Sequence, residues 1–143
     1  MDWLVIAIAG ILFDALVKIV SQGHAKYLRG IDSLPAVPIL AGYLYGSGTG
    51  FWCGLVVSLI YCIIRVRIDS APLIIGSNAL IGFAAAFLAP VGLLYAGIAM
   101  LVIYHIISFA YSALFSETGP GYIAFTVLNF IFTVSIFWIL SIL

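Results

Sequence analysis

The feature that most restricts what this chain can fold into is a nearly unbroken series of apolar runs, each long enough to matter to a bilayer. A helix needs about 20 apolar residues to cross roughly 30 Å of hydrocarbon. On that scale the 143 residues divide into spans at 3–22, 34–46, 49–66, 72–89, 91–115 and 121–142. The connections are brief: residues 23–33, a basic turn RVRID at 65–69, a break at Pro90 and SETGPG at 116–121. Composition points the same way, with 66% of residues apolar and 7% charged, against about 45–50% and 25% in soluble domains. In lipid every backbone polar group needs a partner within the protein, and a helix supplies that within one segment. The expected fold class is therefore all-α: a polytopic membrane protein, a single transmembrane domain over residues 1–143 built as a compact bundle of about six helices. Lys18 interrupts the first apolar run and no cleavage pattern follows it, so residues 3–22 are expected to stay as a span.

The second run, 34–46, is too short to cross unaided; a thinned bilayer, tilted neighbours or an irregular end would accommodate it. It is also where helix-disturbing residues gather, in LPAVPILAGYLYGSGTGFWCGL at 34–55. Pro35 and Pro38 suit the first turn of a helix, where N–H groups have no intrahelical partner. Gly42, Gly46, Gly50 and Gly54 recur every four residues and Ser58 and Cys62 continue the spacing, which predicts a face of small side chains. Gly46 and Gly48 also fit a tight reversal between the second and third spans. Asn78, Gly82 and Ala86 form a second small face, and Gly92 with Ala96 begins a third. Such faces let helix backbones approach closely where there is no water to expel. Cys53 and Cys62 lie inside one apolar run without CxxC spacing and read as packing residues.

Packing does not account for polar side chains at membrane depth. Asp14 and Lys18 stand four residues apart on the first span, in the favourable acid-before-base order. They read either as a mutually neutralised intramembrane pair, with the lysine reaching for the interface, or as a coupling or ion-binding carboxylate beside its partner. Tyr104 and His105 fall within the fifth span, where Ser108 and Ser112 continue the Tyr104 face. On the sixth, Tyr122, Thr126, Asn129 and Thr133 share one face. An amide at that depth faces protein or a cavity, as helix-to-helix glue or as lining.

Several function classes are excluded as expectations. Lys plus Arg equals Asp plus Glu at five each, so no basic field points to nucleic acid. The sequence has no HExxH, GxSxG or P-loop, and His24, Asp32, His105 and Glu117 are scattered, so neither an enzyme, a metal site nor a cofactor is expected.

Residues 34–90 carry a resemblance. AGYLYGSGTGFWCGLVVSLI followed by a polar turn and APLIIGSNALIGFAAAFLAP is similar to the S components, the substrate-binding membrane subunits, of energy-coupling-factor transporters. The resemblance rests on a Pro-led opening, a Gly-rich turn and an NALIG-type fourth helix. It implies six helices that capture a vitamin-like micronutrient and deliver it by toppling in the membrane, working with a coupling membrane subunit and separate ATPases. The first span departs from the alanine-spaced docking face of that family: Ala7, Gly10 and Ala15 make a partial version, interrupted by Asp14 and Lys18. A cell-shape scaffold family of similar helical arrangement keeps open a second reading, a non-catalytic assembly subunit of a membrane complex.

Charge placement separates the two readings. Lys26, Arg29, Arg65 and Arg67 all fall in the first and third connections, on one side, and the other side carries Asp2. The positive-inside rule puts those cations in the cytoplasm, whereas S components would put them outside. Facing outward, they would form a rim that draws an anionic solute into a site lined by Asn78, Tyr104, His105, Tyr122 and Asn129. A third reading, a small channel or ion-coupled exporter, would use Asp14 and His105.

Overall fold

The structure, a computed structural model, describes residues 2–23, 31–65, 69–114 and 120–143. Among them six α-helices follow in order: α1 (Trp3–Gly23), α2 (Ala36–Tyr45), α3 (Ser47–Arg65), α4 (Ala71–Ala85), α5 (Leu93–Leu114) and α6 (Pro120–Ile142). A 3-10 segment at Ala86–Val91 extends α4, so that α4 and its extension form one apolar unit. Five of these units are long and apolar enough to cross a membrane. The exposed faces carry Leu4, Ile8, Leu12, Leu16 and Ile19 on α1, and Ile123, Val127, Ile131 and Trp138 on α6. Apolar surface on this scale belongs against lipid, and the chain is a multi-pass α-helical membrane protein.

Glycine decides how the centre packs. The α3–α4 contact is the most extensive in the bundle, and α2 lies against both helices. A Cβ on Gly50 would fall 2.6 Å from the Gly42 Cα and 2.6 Å from the Gly82 carbonyl carbon, so three backbones meet where a side chain has no room. One turn further along α3, Gly54 meets the Asn78 backbone in the same way. Gly50, Gly54, Ser58 and Cys62 are all buried, as the four-residue spacing predicts. The reversal between α2 and α3 turns on Gly46 at φ 94°, a region favourable only to glycine. Gly48 lies inside α3 rather than in that turn. Gly92 likewise serves a turn, at φ 91°, and the close approach on α5 belongs to Gly97, against which the fully buried Phe137 ring of α6 packs. Pro90, which has no N–H to donate, sits in the 3-10 segment that leads into that turn.

The short second helix has a specific depth. At ten residues it spans about 15 Å, half the hydrocarbon thickness. The residues just before it hydrogen-bond to Asp14 on α1 and to Asn129 on α6. Each of those lies nine residues from the nearer end of its own helix, at Gly23 and Pro120, a distance of about 13 Å along the axis. Residues 32–33 therefore lie near the middle of the long helices, and α2 is a half-helix that starts at mid-depth. Irregular backbone is tolerated there only when protein surrounds it. Asp32, Ser33 and Leu34 are 2%, 7% and 2% exposed. The irregular end among the sequence expectations is thus how the short run is accommodated.

Candidate functional site

The site grows from the start of α2. Asp14 accepts the Ser33 backbone N–H at 2.8 Å through Oδ1. The Ser33 hydroxyl lies 3.2 Å from Asp14 Oδ2 and 3.1 Å from the Gly10 carbonyl, and shares its proton between them. The Ser33 carbonyl in turn accepts from the Val37 N–H at 3.1 Å, which opens the helix. Asp14 therefore fastens the half-helix to α1, doing across two segments what a capping side chain does within one. Lys18, one turn further on, donates its ammonium to the Ile64 carbonyl at the end of α3. The Asp14 and Lys18 heads are thus each bonded to another segment of the chain.

Asp32 is the hub. Its Oδ1 accepts from Asn129 Nδ2 at 2.8 Å and its Oδ2 from the Tyr61 hydroxyl at 3.2 Å, with the Leu34 backbone N–H as a further donor. The Arg65 guanidinium lies 5.5 Å from the centre of the Tyr61 ring, a cation–π contact, within electrostatic reach of Asp14 and Asp32. Tyr104 on α5 lies within hydrogen-bonding reach of Ser108 and Asn78 and within electrostatic reach of Asp32 and Tyr122. Side chains from α1, α3, α4, α5 and α6 thus gather around the start of α2.

Much of this gathering is unsatisfied. Among the described residues Asn78 Oδ1, Asn129 Oδ1, Thr133 Oγ1, Tyr122 Oη and both ring nitrogens of His105 are buried without a hydrogen-bond partner. Thr126 Oγ1, Ser58 Oγ and two Arg65 nitrogens, Nε and Nη2, share that state. Asn78, Asn129, Thr133 and Ser58 are fully buried. Leaving a buried donor or acceptor unpaired costs about 1–3 kcal/mol each. His105 is edged by Tyr104 and Phe130, with ring centres 5.3 and 6.1 Å away. Tyr122 lies between Phe109 and Phe125. Aromatic rings with polar tips thus lie beside the unpartnered atoms, a chemistry suited to organic molecules.

Of the sequence candidates, the structure brings Asp14, Arg65, Tyr104 and Asn129 around Asp32, with Asn78, Tyr122 and His105 next to Tyr104. Lys18 stands at its edge through α3. Lys26, Arg29 and Arg67 lie outside the described residues. Asp32, Ser33 and Tyr61 were not among the candidates. The signal for the first two was present: an Asp-Ser pair stands just before a Pro-led helix only half the length of a span, where polar side chains are carried to membrane depth. No group of three or more His, Cys, Asp or Glu able to hold a metal occurs among the described residues.

The fold and this site define a class, the multi-pass α-helical membrane protein with a buried polar cluster at mid-depth. Comparison with known proteins finds no family model, no curated protein and no solved structure that matches the chain.

Proposed function

We propose that this protein is the solute-binding membrane subunit of an uptake transporter of the energy-coupling-factor type. It takes up a vitamin-like micronutrient together with a coupling membrane subunit and separate ATPases. The observation that carries the reading is the set of buried, unpartnered polar atoms around the half-helix, Asn78, His105, Asn129 and Thr133 foremost. Protein interiors rarely keep such groups without a partner. A helix end at mid-depth is also where membrane carriers build solute sites. The sequence resemblance over residues 34–90 supplies the type of transporter.

The charge pattern favours a second reading. Arg65 ends α3 on the side where Lys26, Arg29 and Arg67 also fall, and the positive-inside rule assigns that side to the cytoplasm. An assembly subunit of a membrane complex would have this orientation. The two readings separate on one label. Asp69→Cys introduces a thiol at an exposed position on that side, while the native Cys53 and Cys62 are buried. Reaction of intact cells with a membrane-impermeant maleimide supports the uptake reading. Reaction confined to inverted vesicles overturns it in favour of the assembly subunit.

A further inference from the structure

Two of the unpartnered atoms, both amide oxygens, have a definite chemical sense. Asn78 donates its amide nitrogen to the Ile74 carbonyl at 2.8 Å, and Asn129 donates its own to the Asp32 carboxylate at 2.8 Å. Both partners are oxygen acceptors, so each amide is turned with its nitrogen toward them. The atom left over is in both cases the carbonyl Oδ1, buried and without a protein partner among the described residues. An amide oxygen only accepts. It is satisfied by an N–H or O–H and repelled by a carboxylate or phosphate oxygen.

The unpartnered hydroxyls and His105 serve either sense, and the charged groups and the start of α2 weigh between them. The start of a helix ordinarily welcomes an anion, but here most of that place is taken, the Ala36 N–H excepted. The Ser33 N–H goes to Asp14, Leu34 to Asp32 and Val37 to the Ser33 carbonyl, while Pro35 and Pro38 have no N–H to give. Arg65 keeps two nitrogens without a protein partner, yet its guanidinium is within electrostatic reach of two carboxyl groups, those of Asp14 and Asp32. Lys18 is tied to the last turn of α3, where the helix dipole favours a cation. An acidic group entering beside Asn129 would meet the Asp32 carboxyl and an amide oxygen together.

We infer that the solute is a hydrogen-bond-donating organic molecule without an acidic group, neutral or cationic, whose N–H or O–H groups meet the Asn78 and Asn129 carbonyls. This rests on the reading of the protein as a solute-binding subunit, and it replaces the anionic solute that the loop cations suggest. Tyr104 and Phe130 beside His105, and Phe125 beside Tyr122, offer it apolar contact and, for a cation, favourable ring faces.

The test uses the full chain in detergent and a defined mixture. Deproteinised yeast extract is split by anion exchange, at a pH above the amine pKa so that zwitterions bind with the other acids, into an acid-bearing fraction and a flow-through. Each is incubated with the protein, and retained compounds are released and counted by mass spectrometry. Retention at one molecule per chain from the flow-through alone is the expected result. Asn78→Leu should weaken it about tenfold, read on protein that a thermal melt shows to be folded, since its amide nitrogen bonds within its own helix and its side chain also meets Tyr104. Asn129→Leu serves as a second variant, with Gly76→Ala, whose Cβ position has nothing within 4 Å, as the control for folding. Retention from the acid-bearing fraction overturns the donor chemistry and leaves the solute-binding reading standing. So does flow-through retention that neither asparagine variant alters. Retention from neither fraction overturns the solute-binding reading itself.

Discussion

A methyl group added at Gly54 tests whether α3 and α4 are held at backbone contact. Built on the observed backbone, the new Cβ would lie 2.5 Å from the Asn78 carbonyl oxygen, 2.6 Å from its carbon and 2.7 Å from the Ala79 nitrogen. Ordinary contact begins near 3.4 Å, so the helices must separate by close to an ångström. All three neighbours are backbone atoms and none can rotate away. Overpacking of this kind costs about 1–3 kcal/mol, whereas Gly to Ala within a helix returns roughly 1 kcal/mol. Gly76→Ala on α4 gives the propensity gain alone, since nothing lies within 4 Å of its Cβ position. The difference between the two variants therefore isolates the clash, at about 1–3 kcal/mol in favour of Gly76→Ala. Unfolding of detergent-solubilised protein, followed by circular dichroism during titration with a denaturing detergent, measures it. Because the clash falls on Asn78, Gly54→Ala should also weaken solute retention. Equal stability of the two variants would refute close α3–α4 packing as the basis of the central fold.

Three further outcomes follow from the site. Asp14→Ala leaves the buried Ser33 N–H without its acceptor and should lower stability by about 1–3 kcal/mol, and Asp14→Asn, which keeps an oxygen, should lose less; the same unfolding assay ranks them. Tyr61→Phe removes one hydrogen bond to Asp32 and keeps the ring under Arg65, for a loss of about 0.5–1.5 kcal/mol. At Gly97 the Phe137 ring lies 2.6 Å from the Cβ position at its Cγ, so Gly97→Ala must displace that ring; altered packing of α5 against α6 should appear as faster amide hydrogen exchange in α6 with α3 unchanged.

The helices were legible because the membrane imposes a length on each apolar run and a period on each face. Runs at 3–22 and 121–142 gave α1 and α6 to within a residue at either end. The spacing of Gly50, Gly54, Ser58 and Cys62 identified the face that α3 buries. Asn78, Tyr104, Tyr122 and Asn129 were legible as polar groups out of place in lipid. Asp32 was not, because in sequence it reads as one more loop acid beside a basic connection. Its role exists only when a half-helix carries it down to Asn129, 97 positions away.

Sequence alone determined that this chain lives in a bilayer, how many apolar segments it has and which residues share a face, since hydrophobic length and helical period are local properties. Tertiary structure alone decided that α2 begins at mid-depth, that Asp14 holds it there and which amide oxygens remain without partners. Those outcomes depend on which faces meet, and a meeting of backbones at Gly42, Gly50 and Gly82 is written in no single segment.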